Sequence, residues 1–205
     1  MKKIVALFVM AFAWAGMHAQ GFGVEAGLNF GSITESYSSH EYKYTGKTGL
    51  YVGLNYEYEV GENMYLHMGL AYSQYGGKYT EEDGWEEIKL NYLDIPFMFK
   101  YGFGLSDEIK AFAIGGPVFS MGLSGTYSGG YEDESESVDI KFDGEKGTDG
   151  AHLKSLNTGF RLGAGINYGN FEGGLYYTMG LSDISPYDDT MKTSLFSIIL
   201  GYRFM

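Results

Sequence analysis

The chain alternates. Stretch after stretch places an apolar residue at every second position, the period of a β-strand with one apolar face. "GFGVEAGLNF" sets Phe22, Val24, Ala26, Leu28 and Phe30 against Glu25, Gly27 and Asn29. "LYVGLNYEYEV" sets Leu50, Val52, Leu54, Tyr56, Tyr58 and Val60 against Gly53, Asn55, Glu57 and Glu59. "MYLHMGLAYS", "YLDIPFMFKY", "LNTGFRLGAGINY", "FEGGLYYTMGL" and the terminal "LFSIILGYRFM" repeat the pattern. One stretch is less regular. In "IKAFAIGGPVFSMGL", Phe112 and Ile114 share one phase while Phe119, Met121 and Leu123 share the other. A bulge near Gly115, Gly116 and Pro117 would reconcile the halves.

These stretches predict eight strands, each about as long as a tilted membrane-crossing strand of ~9–11 residues. The connections alternate in length. "GEN", "GFGLSDE" and "GN" are short, whereas 31–48, 74–89, 124–155 and 182–192 are long. Short turns on one side and long loops on the other are the layout of an outer-membrane barrel. The expectation is an all-β fold: an eight-stranded antiparallel up-and-down transmembrane β-barrel with both termini in the periplasm. Alternation alone also suits a soluble sandwich or lipocalin. Aromatics near the strand ends (Tyr56, Tyr58, Tyr72, Tyr92, Tyr101, Tyr168, Tyr202, Phe204) favour lipid, because such residues form interfacial girdles.

The first nineteen residues read as a signal peptide. "MKK" is a positive start and "IVALFVMAFAWAG" an apolar run too short to span as a helix. Cleavage is placed after Ala19, ahead of Gln20. The barrel domain is then 20–205, located in the outer membrane of a Gram-negative bacterium.

With the greasy face turned to lipid, the minor face lines a narrow lumen. Glu25, Glu57, Asp94 and Glu172 then face Lys100, Arg161 and Arg203. This polar network is expected to act as a plug, with Gly27, Gly53, Gly69, Gly163, Gly165 and Gly174 making room for its long side chains.

Composition narrows the function. The net charge is −12 and no basic footprint is present, which argues against nucleic-acid binding. Cysteine is absent, so there is no disulfide scaffold or thiolate metal site. Much of the acid lies in 131–150, where Asp133, Glu134, Glu136, Asp139 and Asp143 are candidate loop ligands for divalent cations. No EF-hand spacing accompanies them, and a solvated charge run is the alternative. "SSHEYKYT" and "GGKYTEEDGW" interleave tyrosine, tryptophan and polar groups, a composition suited to recognition or to a strand rim above the membrane. Of the histidines after the leader, His40 and His152 fall in loops. His67 faces the lumen with Ser73 further along it. No nucleophile elbow or metal-ligand spacing is present. No enzyme activity and no cofactor are expected.

"LNYLDIPFMFKYGF" and "AIGGPVFSMGL" resemble the fourth and fifth strands of the PorT-like outer-membrane β-barrel family. There a Tyr-Leu-acid-Ile-Pro segment precedes a strand with Gly-Pro. Size and layout also resemble the small OmpX-type barrels, linked to adhesion and surface defence. The terminal Tyr202-Arg203-Phe204 is similar to the signal read by the outer-membrane assembly machinery, although Met205 follows it. The resemblance implies a monomer surrounded by outer-membrane lipid and lipopolysaccharide, with a structural or surface-interaction role carried by acidic, aromatic loops. The alternatives are a narrow porin for ions or small solutes, or an accessory component of a protein secretion system.

Overall fold

The structure is a computed structural model that describes residues 21–37, 40–80, 84–106, 108–131, 134–147 and 151–204. The proposed leader and Met205 lie outside them. The described residues form ten strands: β1 Phe22–Tyr37, β2 His40–Gly61, β3 Met64–Thr80, β4 Gly84–Gly104, β5 Ile109–Tyr131, β6 Glu134–Lys141, β7 Ala151–His152, β8 Leu156–Tyr168, β9 Phe171–Gly180 and β10 Thr190–Arg203. No helix among these residues is long and apolar enough to cross a membrane.

Eight of the strands close a ring. β1 to β5 pair in sequence, β5 pairs with β8, β8 with β9, β9 with β10, and β10 with β1. The register returns to β1 displaced. Followed round the ring from Gly23 through Asn55, Gly69, Pro96, Val118, Gly159, Gly180 and Thr193, it comes back at Ile33, ten positions further up. Such a stagger tilts the strands by about 35–45° and leaves a lumen that side chains fill.

The outward face carries the apolar residues. Leu54 is 53% exposed, Phe99 58% and Leu200 67%. On β4 the outward run Leu93, Ile95, Phe97, Phe99, Tyr101 and Phe103 covers ten residue steps. At ~3.3 Å per step and a tilt of about 40°, that gives a belt about 25 Å tall, the height of a transmembrane barrel's apolar band. Tyr101–Phe103, Phe171–Tyr202 and Tyr202–Phe204 pack edge to face at its periplasmic margin.

Four sequence expectations change. The segments 31–48 and 74–89 are continuous β-ladder, with β1–β2 and β3–β4 pairing out to Tyr37↔His40 and Thr80↔Trp85. Tyrosines and isoleucines on their inner side bury against one another, so the strands continue above the apolar belt. Segment 124–155 carries the end of β5, then β6 and β7. β8 reaches up only to Leu156↔Met121, and β6 takes over the edge of β5 above that point. The plain eight-strand meander is thus extended by a hairpin, and β6 and β7 pair in parallel.

No bulge interrupts β5 at 115–117. Its register with β8 is continuous from Ile109 to Met121. Phe112 and Ile114 simply point inward, where they bury with Tyr51, Ala71, Met98, Tyr176 and Ile199. The irregularities fall elsewhere: at Leu123 on β5, which the register skips between Asn91↔Ser124 and Tyr92↔Gly122, around Gly46 on β2, whose φ of 80° suits glycine, and between Glu59 and Gly61. Finally, Tyr92 does not belong to a girdle. It is fully buried in the lumen.

The belt makes a prediction that a water-soluble barrel would reverse. Leu54→Arg, at mid-belt, should cost about 2–4 kcal/mol in reversible unfolding from phospholipid bilayers. A stability unchanged within error would place that face in water.

Candidate functional site

The lumen is built in layers, and each follows from which residues occupy the inward phase. At the periplasmic end, Glu25, Glu57 and Glu172 converge on Lys100, Arg203 and His67. Lys100 Nζ lies 2.7 Å from Glu57 Oε1 and also donates to Glu172. Arg203 Nη2 lies 2.8 Å from Glu57 Oε2 and 3.3 Å from Glu172 Oε2. His67 bridges Glu57 at 3.2 Å and Glu25 at 3.6 Å. Asn55 donates to Glu25 at 2.6 Å, and Tyr176 donates to Glu172 at 3.3 Å. Lys100 also sits 4.3 Å above the Phe112 ring. A vestibule of about 500 Å³, lined by Asn63, Tyr65, Glu108 and Lys110 among others, opens beneath this cluster.

One layer up, Asp94 and Arg161 form a second, separate pair at 3.3 Å. Both are essentially excluded from solvent, at 0% and 1% exposure. Asp94 accepts from Tyr75 at 2.8 Å and Ser120 at 2.6 Å. Arg161 Nε donates to Thr178 at 2.7 Å, and the guanidinium stacks 5.5 Å from Tyr51. Beside it, Asn29 donates to Ser73 at 2.9 Å and accepts from Ser197 at 2.7 Å. The seven lumen residues read from sequence are therefore all inward-facing, but they form two groups. Sequence reasoning missed Tyr51, Tyr75, Tyr176 and Asn29. Their signal was a tyrosine or asparagine in the polar phase of a strand.

Above the belt an apolar core fills the tube: Ile33, Tyr44, Tyr75, Ile88, Leu90, Tyr92, Ile140, Leu153, Ile184 and Leu195. Two irregular segments supply its lid. Leu153 N donates to Lys141 O, Lys154 N to Ile184 O, and Ile184 N to Met191 O. Asp183 fixes the second segment by accepting from the Ser185 and Met191 amides at 3.0 and 2.9 Å and from Lys154 at 2.8 Å. Phe142 enters over Gly122, where any Cβ would stand 2.1 Å from its ring.

The lid leaves a cup open to the outside, about 610 Å³ in volume. Glu35, Glu86, Asp188 and Asp189 supply acid, Tyr44, Tyr127 and Tyr187 supply rings, and Ile88, Leu153 and Met191 form the floor. Tyr44 donates to Glu86 at 2.8 Å. Burial, then the Asp189 and Glu86 charges, raise the Glu35 carboxyl above the ordinary range. Burial and a hydrogen bond to Glu86 push the Tyr127 phenol up to about 12. The size and lining suit a small ligand or a protruding side chain.

The candidate cation ligands do not converge. Asp133 and the Glu134 side chain lie outside the described residues. Glu136 and Asp139 are exposed on β6, three positions apart and so on opposite faces. Asp143 accepts from His152 at 2.9 Å, which holds its carboxyl below the usual range. Among the described residues no group of three or more His, Asp or Glu could hold a metal. Ser73 bonds Asn29 rather than His67. Tyr202 and Phe204 end the lipid-facing row, 37% and 47% exposed.

A closed ring with an apolar exterior, a charged interior and a water-facing cup defines a transmembrane β-barrel. Residues 17–185 match the family model of the outer membrane protein beta-barrel domain, and the chain belongs to that family. It is an outer-membrane protein. Among solved structures it is similar to Neisserial surface protein A at 12% identity, covering 90% of this chain and 98% of that one with a TM-score of 0.49. It is also similar to Ail, the attachment invasion locus protein of Yersinia pestis, at 14% identity, 90% and 99% coverage and a TM-score of 0.44. OprG from Pseudomonas aeruginosa is a third, at 12% identity, 91% and 96% coverage and a TM-score of 0.47. No curated protein sequence matches the chain.

Two outcomes test these layers. Arg161→Ala strands the buried Asp94 charge and should destabilise the folded barrel by about 3–5 kcal/mol, lowering the temperature at which its compact gel band disappears; Asp94→Asn with Arg161→Gln should recover part of the loss. The Asp143–His152 contact depends on a carboxylate whose folded pKa lies below its unfolded value. Its contribution is present above the unfolded value of about 4 and is lost as pH falls through the folded value. Asp143→Asn should therefore speed proteolysis within 142–153 at pH 7, with little further change on acidification.

Proposed function

We propose that the protein is a non-enzymatic, non-conducting surface barrel that meets its partner through the extracellular cup. The observation that carries this reading is the pairing of a sealed tube with an open cup. The polar groups within the membrane are spent on one another, whereas Glu35, Glu86, Asp188, Asp189, Tyr127 and Tyr187 line a cup open to water. That lining favours a partner presenting positive charge, with the rings adding cation–π contact.

On this reading the lumen residues are a structural plug. His67 is held between two carboxylates at 1% exposure, a poor position for a base that must reach substrate. The barrel works as a monomer made of an antiparallel up-and-down ring, delivered by a cleaved 1–19 leader. Its terminal Tyr202 and Phe204 serve the assembly machinery, and its surroundings are outer-membrane lipid and lipopolysaccharide. The PorT-like strand signatures fit the same architecture; they carry no role of their own.

A fluorescent oligolysine peptide titrated against the barrel in neutral nanodiscs tests the cup. Binding to the wild type, weakened about tenfold or more in Glu86→Gln/Asp189→Asn, is the expected result. Equal binding to both proteins would remove the cup from the account.

A further inference from the structure

The wall above the belt separates charge by face. On the inner side, Glu35 and Glu86 line the cup. On the outer side of β2, β3 and β4, the described charged side chains are Lys43, Lys47, Lys78, Lys89 and a single acid, Glu87. This basic face belongs to a chain of net charge −12, so it runs against the overall balance.

The lysines are organised. Lys78 and Glu87 are cross-strand partners. Glu87 takes Lys89 at 2.7 Å on one oxygen and Lys47 at 3.0 Å on the other. The stem of Lys47 lies across Gly76, where an added Cβ would come 2.7 Å from its Cγ. Lys78 sits 5.1 Å over the Trp85 ring. One carboxylate thus fixes two ammonium groups beside a third, leaving a surplus of positive charge among the described residues of the cluster.

The position selects the occupant. Directly beneath runs a polar rim at the top of the belt: Tyr72 donates to Asn91 at 2.9 Å, Gln74 to Tyr72 at 3.1 Å, and Asn91 to Ser124 at 2.9 Å. Lys89 lies four residues above Leu93, the last apolar residue of the β4 row. That is about 10 Å of height at this tilt, level with the outer edge of the headgroups and the first sugars of a glycolipid leaflet. The face looks sideways at those headgroups and sugars rather than up at the extracellular fluid, which favours a glycolipid over a soluble acidic partner. We propose that Lys47, Lys78 and Lys89 form a binding site for the phosphate groups of lipopolysaccharide in the outer leaflet, with Trp85 and the Asn91 rim against its sugars.

The test uses the full-length folded barrel in phosphatidylcholine nanodiscs, with folding checked by heat-modifiable migration. Phosphorylated lipid A with its core sugars, or the same glycolipid after dephosphorylation, is titrated in and retained glycolipid is counted by native mass spectrometry. The wild type should retain the phosphorylated form. Lys47→Gln/Lys78→Gln/Lys89→Gln should weaken retention about a hundredfold, and each single change about fivefold, so the singles serve if the triple variant folds poorly. Lys192→Gln, on β10, should leave it unchanged, and millimolar inorganic phosphate should not displace it. Equal retention of the dephosphorylated form, a triple variant that binds like the wild type, or displacement by free phosphate would each overturn the proposal.

Discussion

Hydrocarbon offers no partner to a backbone amide, and most of this structure follows from that. Every N–H and C=O within the belt must find its mate in a neighbouring strand, so the sheet has to close. Closure over eight strands with a ten-residue stagger fixes the radius. The radius leaves an interior too narrow for bulk water and too polar to be left unpaired. Arg161 and Lys100 are among the largest fully buried side chains of the molecule. Each survives burial because the opposite wall supplies carboxylates, hydroxyls and a ring face.

The same constraint explains which features were legible in the sequence. Inside the belt, lipid imposes a strict period of two, and the outward rows of β2, β4, β9 and β10 could be read directly. The inward acids and bases could be read too, because a charged residue in a lipid-crossing strand has only one side to occupy. Phe112 and Ile114 misled because a narrow lumen also needs apolar filler, and a large apolar residue reads the same on either face. Their phase became clear only against Lys100 and Met98 on the neighbouring strand. The grouping of the seven polar residues was invisible for a related reason. Whether Asp94 meets Arg161 or Lys100 depends on stagger, which a single strand does not record.

Above the belt the period of two persists, but its meaning inverts. Headgroups and water now lie outside, and the apolar residues turn inward: Ile33, Tyr44, Ile88 and Leu195 close the tube. A search for greasy outward rows therefore ends at the belt and takes 31–48 and 74–89 for loops. The cup depends on β1, β2, β4, β5 and the 181–189 segment together, and no local motif announces it. The lysine face was hidden by arithmetic, since summing charge over the whole chain buries a basic wall beneath acidic loops.

The account depends on the tube being sealed at three levels: the Glu57–Lys100–Arg203 cluster, the Asp94–Arg161 pair, and the apolar lid under Leu153 and Ile184. Recording from single refolded barrels in planar bilayers, with heat-modifiable migration proving insertion-competent protein, tests that claim most directly. Sealed layers predict a silent membrane at physiological salt. Steady, salt-dependent openings of the wild-type barrel would contradict it and make the inward charges the lining of a pore.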